Sequence, residues 1–125
     1  MTEPRAIAGQ AAEERALAHL EARGLTLVTR NFRCRLGEID LVMLHRGTLV
    51  FVEVRSRKSS RFASAAESVD LRKQRKLARA AGFFLLRRRA FRHHPVRFDV
   101  VALDGPSPAR YAIQWVRDAF RPGGL

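Results

Sequence analysis

The spacing of apolar residues along the chain changes several times, and each change predicts a new element. Residues 5–23 repeat at helical spacing, and Gly24 then supplies a helix stop. Residues 25–33 read as a strand. Residues 38–44 and 49–55 predict two further strands, joined by a short connection that contains glycine. The first half of the chain is therefore predicted to be a helix followed by three strands.

The second half of the chain adds one helix and further strands. Asp70 is suited to cap that helix because an aspartate side chain can accept a backbone N–H of the first turn. The whole pattern predicts one α/β domain over residues 1–125, with a mixed sheet of about four to five strands flanked by helices. The elements predicted after the hairpin are a polar loop at 56–65, a helix from Asp70 to about Arg89, a basic connection at 87–95, a strand at 97–103, a turn between Pro106 and Pro108, a short edge strand at 110–115 and a last helical turn at 116–120.

The net charge of the chain indicates the class of partner that it binds. The chain has 24 Lys and Arg against 12 Asp and Glu, which gives a formal net charge of +12 at pH 7. So large a charge on one small domain predicts a polyanionic partner, nucleic acid first and an anionic membrane surface second, with a merely soluble basic protein as the alternative. Lysine is rare, and such an arginine bias can reflect base composition, so the inference rests on charge rather than on arginine itself.

The single cysteine and the lack of long apolar runs bear on the location of the protein. Cys34 cannot form an internal disulfide and is interpreted as an ordinary strand cysteine, which fits a reducing cytosol. No apolar run approaches the roughly 18 residues of a membrane span. The N-terminus also lacks the apolar core of a signal peptide. We therefore expect a cytoplasmic protein that does not enter the membrane.

Acidic residues occur on both strands of the predicted hairpin. A turn at 46–47 fixes a register that places Asp40 opposite Glu53 and Glu38 opposite Arg55. Directly opposed residues hold their Cβ atoms roughly 5 Å apart. Two carboxylates at that distance repel each other by roughly 3 kcal/mol at an effective dielectric near 20. The second strand of the hairpin is apolar on both faces and so predicted to be central, where such repulsion has to be offset.

Two arrangements could offset this repulsion. A divalent metal ion such as Mg²⁺ binds carboxylate oxygens together with waters and phosphate. Alternatively, Arg55 could form a purely structural salt bridge with the acids. The central position of the strand favours the metal, but the residues alone leave both arrangements open.

Both helices direct polar side chains towards the same region. Glu13 shares the apolar stripe of Leu17 and Leu20, whereas Glu14 points away; an arginine partner at the helix edge is the alternative for Glu13. Gln74 lies on the inward stripe of the second helix. The remaining surface of that helix and the preceding loop are basic and could follow a phosphate backbone, although a solvated charged face is the alternative. The candidate nucleic-acid contacts are Arg57, Lys58, Arg72, Lys73, Arg75 and Lys76.

Several motifs together resemble one known family. They are GQAAE at 9–13, GEIDLV at 37–42 and FVEVRSR at 51–57, and KQ at 73–74, RFDVV at 97–101 and WVRDAF at 115–120 continue the match. This combination resembles the YraN-type family of bacterial proteins over nearly the whole chain. That family is similar to archaeal Holliday-junction resolvases within the PD-(D/E)XK nuclease superfamily.

The resemblance implies a fold and a set of site residues. The fold would be a restriction-endonuclease-like sandwich, and Glu13, Asp40 and Glu53 would hold Mg²⁺ or Mn²⁺. Arg55 would occupy the position of the superfamily's usual lysine, and Gln74 a supporting helix position. Because arginine hardly ever loses its proton, Arg55 would stabilise charge on the phosphate rather than act as a general base.

Three functional hypotheses follow. The first is metal-dependent hydrolysis of phosphodiester bonds in DNA, with branched DNA implied by the resemblance. A two-fold homodimer would suit the two symmetric cleavage points of a four-way junction. The second is a non-catalytic nucleic-acid-binding module that retains the nuclease fold. The third is a structural or partner-binding protein whose acidic patch is closed by Arg55 and Arg57, without a metal site.

Overall fold

The computed structural model describes residues 4–59 and 63–123, and in this part of the chain a five-stranded sheet has a helix packed on each face. Its elements are α1 (Pro4–Glu21), β1 (Thr26–Cys34), β2 (Gly37–His45), β3 (Thr48–Arg57), α2 (Leu71–Arg87), β4 (Val96–Asp104) and β5 (Ala112–Phe120), with short 3-10 helices at Arg89–Phe91 and Pro108–Arg110. The strands lie side by side in chain order. The β3–β4 pair is parallel and the other three pairs are antiparallel. The predicted α/β fold with a mixed sheet is confirmed.

The two faces of the sheet carry separate apolar cores. On one face, Ala16, Leu17 and Leu20 of α1 pack against strand residues that include Leu41 and Val52. On the other face the core is aromatic, with Phe84 of α2 in edge-to-face contact with Phe32 and Phe51. A sheet covered on both faces explains why β3 lacks simple alternation and is apolar over most of its length.

The β2–β3 hairpin has the predicted register. Arg46 and Gly47 form its two-residue turn with φ angles of 51° and 86°, and His45 pairs with Thr48. Positive φ at both central residues is typical of a type I′ turn, which matches the right-handed twist of the strands. The ladder then runs inward from the turn and ends at the pair Leu41–Val52.

The predicted helical turn at 116–120 is wrong, because β5 continues as a strand through these residues. Asp118 has a φ of 50°, and the pairing with β4 shifts register between Phe98 and Val100. This bulge changes which side chains face the sheet core, so Val116 and Phe120 both pack into it. Their spacing of four resembles a helix in the sequence, although the backbone is extended.

A fully buried aspartate ties β4 to β5 and to the hairpin. Each carboxylate oxygen of Asp99 accepts two hydrogen bonds. The Arg97 guanidinium donates one to each oxygen, at 2.8 Å to Oδ1 and at 3.0 Å to Oδ2. The other two come from Trp115 Nε1 and the backbone N–H of Asp118, each at 2.9 Å. Arg97 also lies 3.1 Å from Nδ1 of His45. Burial and the charge of Arg97 lower the pKa of His45, so the ring is neutral and can accept that bond.

No helix in the described part of the chain has both the length and the apolar character needed to span a lipid bilayer.

We expect Asp99→Asn to lower the free energy of unfolding by about 3 kcal/mol, because removing one partner of a buried ion pair leaves the Arg97 charge uncompensated. Urea denaturation followed by fluorescence measures the change. Asp118→Asn is the matched control, since its ion pair with Arg121 is largely exposed and contributes little to stability. Equal effects of the two substitutions would contradict a structural role for the buried network.

Candidate functional site

Two acidic side chains lie where β2 and β3 part. The β2–β3 ladder ends at Leu41–Val52, after which β2 continues beside β1 and β3 continues beside β4. Asp40 and Glu53 are the residues just beyond that last pair. A side chain bridges the two strands at this point, because the backbone N–H of Val54 in β3 donates to Oδ2 of Asp40 in β2 at 2.8 Å. The predicted convergence of Asp40 and Glu53 is therefore confirmed.

The two carboxyl groups share a hydrogen bond, which requires a proton on one of them. Burial of Asp40, followed by its hydrogen bond and charge interaction with Glu53, raises the pKa of Asp40 to about 8. The contact with Glu53 thus favours the protonated form of Asp40. Glu53 is only 4% exposed, and its Oε2 has no hydrogen-bond partner in the described part of the chain.

Lys73 of α2 lies beside this acid pair. Its Nζ is 3.4 Å from Oε2 of Glu53, and its charge also lowers the pKa of Asp40. The helix cap sets this position, because Asp70 Oδ1 accepts the backbone N–H of Lys73 at 2.8 Å. Sequence reasoning placed Lys73 among the nucleic-acid contacts and missed its role beside the acids. Its place in the first turn after the predicted cap was the signal available.

Arg55 does not approach Glu38 as expected, and that prediction is wrong. The ladder that would have paired them ends before it reaches either residue. Glu38 instead forms an exposed ion pair of 3.4 Å with Arg33 of β1. The Arg55 guanidinium donates to the backbone carbonyl of Ser68 at 2.9 Å, in the segment just before α2. Arg55 thus lies on the same side as the acid pair but is anchored to the backbone.

Arg57 is paired within the protein. Its guanidinium donates to both carboxylate oxygens of Asp104, at 2.7 and 3.0 Å, and to the carbonyl of Ala63 at 2.8 Å. This arrangement fixes the end of β3 against β4. The charge of Arg57 is therefore already balanced by a neighbouring acid, as the charge of Lys73 is by Glu53.

Glu13 reaches the acid pair from the other helix. It is half-buried and hydrogen-bonds Asn31, which has a left-handed φ of 49°. Burial and then the charge of Asp40 raise the pKa of Glu13. Glu14 is exposed and pairs with Arg30 at 2.7 Å. The predicted helix phase, with Glu13 inward and Glu14 outward, is confirmed.

Gln74 and the remaining basic residues surround the site more loosely. Gln74 is half-buried, and its Nε2 donates to the carbonyl of Val69 at 3.0 Å, so it supports the start of α2. Four candidate nucleic-acid contacts are exposed and have no ion pair within the described ranges. They are Lys58, Arg72, Arg75 and Lys76.

The donor atoms of this site are carboxylate oxygens, which suit Mg²⁺ or Mn²⁺. Across residues 4–59 and 63–123, no three His, Cys, Asp or Glu side chains are close enough to form a ready metal-binding group. Asp40 and Glu53 touch, whereas Glu13 interacts with Asp40 mainly through charge. Oε2 of Glu53 has no hydrogen-bond donor in the described residues and already faces the Lys73 ammonium at 3.4 Å, so its environment suits a cation.

The fold and site define a small, basic α/β protein with a buried acid pair at the parting of two sheet strands. The profile of the Uncharacterised protein family UPF0102 matches residues 12–103. A UPF0102 protein of Pseudomonas putida strain W619 is 52% identical over 113 residues, covering 90% of this chain and 92% of that protein. A UPF0102 protein of Stutzerimonas stutzeri strain A1501 is 51% identical over 112 residues, with the same coverage. The chain belongs to the UPF0102 family, which confirms the YraN-type resemblance.

The shared proton predicts an unusual dependence of stability on pH. Because the folded-state pKa of Asp40 is raised from 3.8 to about 8, its contribution to stability is present below pH 3.8 and is lost as pH rises through about 8. We expect Asp40→Asn, which cannot ionise, to melt progressively higher relative to the wild type as pH increases from 4 to 8.5. Thermal melts in EDTA measure this difference. A difference in melting temperature that stays constant with pH would show that Asp40 is ionised in the folded protein.

Proposed function

We propose that this protein is a metal-dependent DNA endonuclease that hydrolyses phosphodiester bonds, and that it acts in the cytoplasm on branched DNA. The observation that carries the proposal is the close pair of half-buried Asp40 and buried Glu53, whose Oε2 has no hydrogen-bond donor among the described residues and lies 3.4 Å from Lys73 Nζ. Buried acids in a central sheet destabilise a fold unless they are paired or bind a cation, so their presence favours a functional role. A homodimer would present two such sites to a symmetric junction.

Asp40, Glu53 and Glu13 would hold the Mg²⁺ or Mn²⁺ ion, which when bound lowers the pKa of a water and offsets negative charge on the phosphate. Within the chain, Glu53 keeps an oxygen free of hydrogen bonds for this purpose. The Val54 N–H fixes the rotamer of Asp40 through its 2.8 Å bond to Oδ2. Glu13 adds a third carboxylate from α1, whose half-buried position lets it adjust.

Lys73 takes the role that the resemblance gives to the residue at position 55. A lysine can lose its proton in a partly buried site, whereas an arginine effectively cannot. Lys73 Nζ, which lies 3.4 Å from Glu53, would orient a water and exchange a proton with it at the edge of the acid pair. Arg55, anchored at Ser68, retains further N–H groups that can stabilise negative charge on a phosphate.

A non-catalytic nucleic-acid-binding module is the second candidate. The observation that favours it is the lack of a ready three-ligand group among the described residues, since Glu13 is joined to the acid pair mainly through charge. In that case the basic surface would bind DNA and the acid pair would remain protonated without hydrolysis.

We expect Asp40→Asn and Glu53→Gln to abolish metal-dependent cleavage while DNA binding stays equal or becomes tighter. An amide replaces an anionic oxygen poorly as a ligand, yet removing negative charge eases the approach of phosphate. The effects should be strongly non-additive because both residues act on one ion. The assay incubates linear, flapped and four-way-junction DNA with protein in Mg²⁺, Mn²⁺ or EDTA. Glu14→Gln is the matched control and should cleave like the wild type.

Melting the same variants with and without Mg²⁺ separates a metal site from a structural acid pair. If the wild type shows no Mg²⁺-dependent shift and both substitutions destabilise it, the metal proposal is wrong. A wild-type shift with no cleavage of any DNA would instead support the binding module.

We expect Lys73→Met to lower the cleavage rate at saturating DNA by about 10²-fold or more, the size typical of a lost acid–base group. The slope of the pH–rate profile on its alkaline side should change as well. Lys76→Met is the matched control, because Lys76 is exposed on the next turn and should alter affinity rather than rate. Equal rate losses for Lys73→Met and Lys76→Met would indicate that Lys73 contacts DNA and has no separate role in catalysis.

A further inference from the structure

A trough runs along one flank of α2, away from the flank that carries Lys73. It consists of two adjoining cavities of about 460 and 610 Å³, which share Arg121 and Pro122 as a common wall. The first cavity is lined by Leu71, Gln74, Arg75, Ala78 and Arg79 of α2. The second continues past Leu85 to the segment between α2 and β4. At 1.5 Å per residue, the flank from Leu71 to Leu85 is about 21 Å long.

The rim of this trough is positively charged. Arg75 and Arg79 are exposed and have no ion pair in the described residues. Arg92 and His94 line the far cavity. The acid on the rim, Asp118, is already paired with Arg121 at 2.6 Å. Three of the five arginines that line the trough, Arg75, Arg79 and Arg92, thus have no ion pair among the described residues, and the trough favours a polyanionic occupant.

The floor of the trough is apolar. Leu71 is 65% exposed, which is high for a large apolar side chain at the start of a helix. Ala78, Leu85 and Pro122 continue this surface and are half-buried. A cationic rim over an apolar floor is the arrangement that binds single-stranded nucleic acid, because the phosphates meet the cations while the bases face the apolar surface. A concave cleft of this size admits one strand rather than a duplex.

The position of the trough connects it to the acid pair. Leu71 and Gln74 belong to the same first turns of α2 as Lys73, which lies 3.4 Å from Glu53. A strand that leaves the acid pair around the start of α2 would thus enter the trough directly. We propose that the trough holds a single-stranded DNA segment that extends from the duplex at the acid pair. This proposal rests on the proposed function for its ligand class, DNA, but it does not require hydrolysis.

The test measures binding in EDTA with the full chain and fluorescein-labelled DNA: a twelve-residue oligothymidylate, a blunt duplex and the same duplex with a single-stranded tail. Arg75→Glu/Arg79→Glu should lower affinity for the oligothymidylate and the tailed duplex by about tenfold or more, and should lower the salt slope on single strands by about 1.4. The blunt duplex should be affected less. Ala78→Trp, which fills the trough without changing charge, should also weaken single-strand binding.

The double variant Arg23→Glu/Arg110→Glu is the matched control. Both residues are exposed and lie outside the trough, and the control changes the net charge by the same amount as the trough variant. Circular dichroism melts confirm that each variant is folded. Equal losses for the control and the trough variant, or equal losses for blunt duplex and single strand, would overturn the proposal. Tighter binding of oligouridylate than of oligothymidylate would overturn the assignment to DNA. Intact trough binding without cleavage in any metal would support this proposal and remove the hydrolytic one.

Discussion

The close contact between the carboxyl groups of Asp40 and Glu53 is the constraint around which the site is built. Ionising two neighbouring carboxylates at the end of a central ladder costs free energy because the charges repel each other, and burial increases that cost. The protein offsets it with three groups from different elements: the Val54 N–H, the ammonium of Lys73 and the proton that raises the pKa of Asp40 to about 8. This balance depends on β2 and β3 parting at that point, because continued pairing would replace the side-chain contacts by ladder hydrogen bonds.

A comparison with Asp99 shows what a purely structural buried acid looks like in the same sheet. Asp99 has four donors for its two oxygens and a bidentate arginine, so its charge is fully satisfied. Glu53 is almost as buried but has an oxygen without a hydrogen-bond donor among the described residues. Within the described ranges that oxygen is balanced only by the Lys73 ammonium at 3.4 Å, and buried polar atoms without a hydrogen bond are rare in native proteins. The contrast separates a carboxylate that holds the fold together from one that is kept available.

The sequence predicted those features that depend on local geometry. The type I′ turn at Arg46 and Gly47 set the hairpin register, and that register brought Asp40 to Glu53; helical phase likewise turned Glu13 inward. The predictions that were wrong depended on partners distant in the chain. The β2–β3 ladder ends at Leu41–Val52, before it reaches Arg55, and the bulge at Asp118 lets β5 continue. Lys73 was grouped with the nucleic-acid contacts because only the packing of α2 against the sheet shows that its first turn faces the acid pair.

Helix α2 presents two different flanks, one to the acid pair and one to the trough. Its buried stripe of Leu77, Ala80, Ala81 and Phe84 fixes its rotation against the sheet. Once that rotation is fixed, the flank with Lys73 must face the acid pair and the flank with Arg75 must face the trough, because successive helical residues are about 100° apart. A backbone carbonyl of α2 lies 3.2 Å from where a Cβ on Gly37 would be, so a larger residue there would push the helix away. The small residue at the start of β2 therefore controls how closely the cationic groups of α2 approach Asp40 and Glu53.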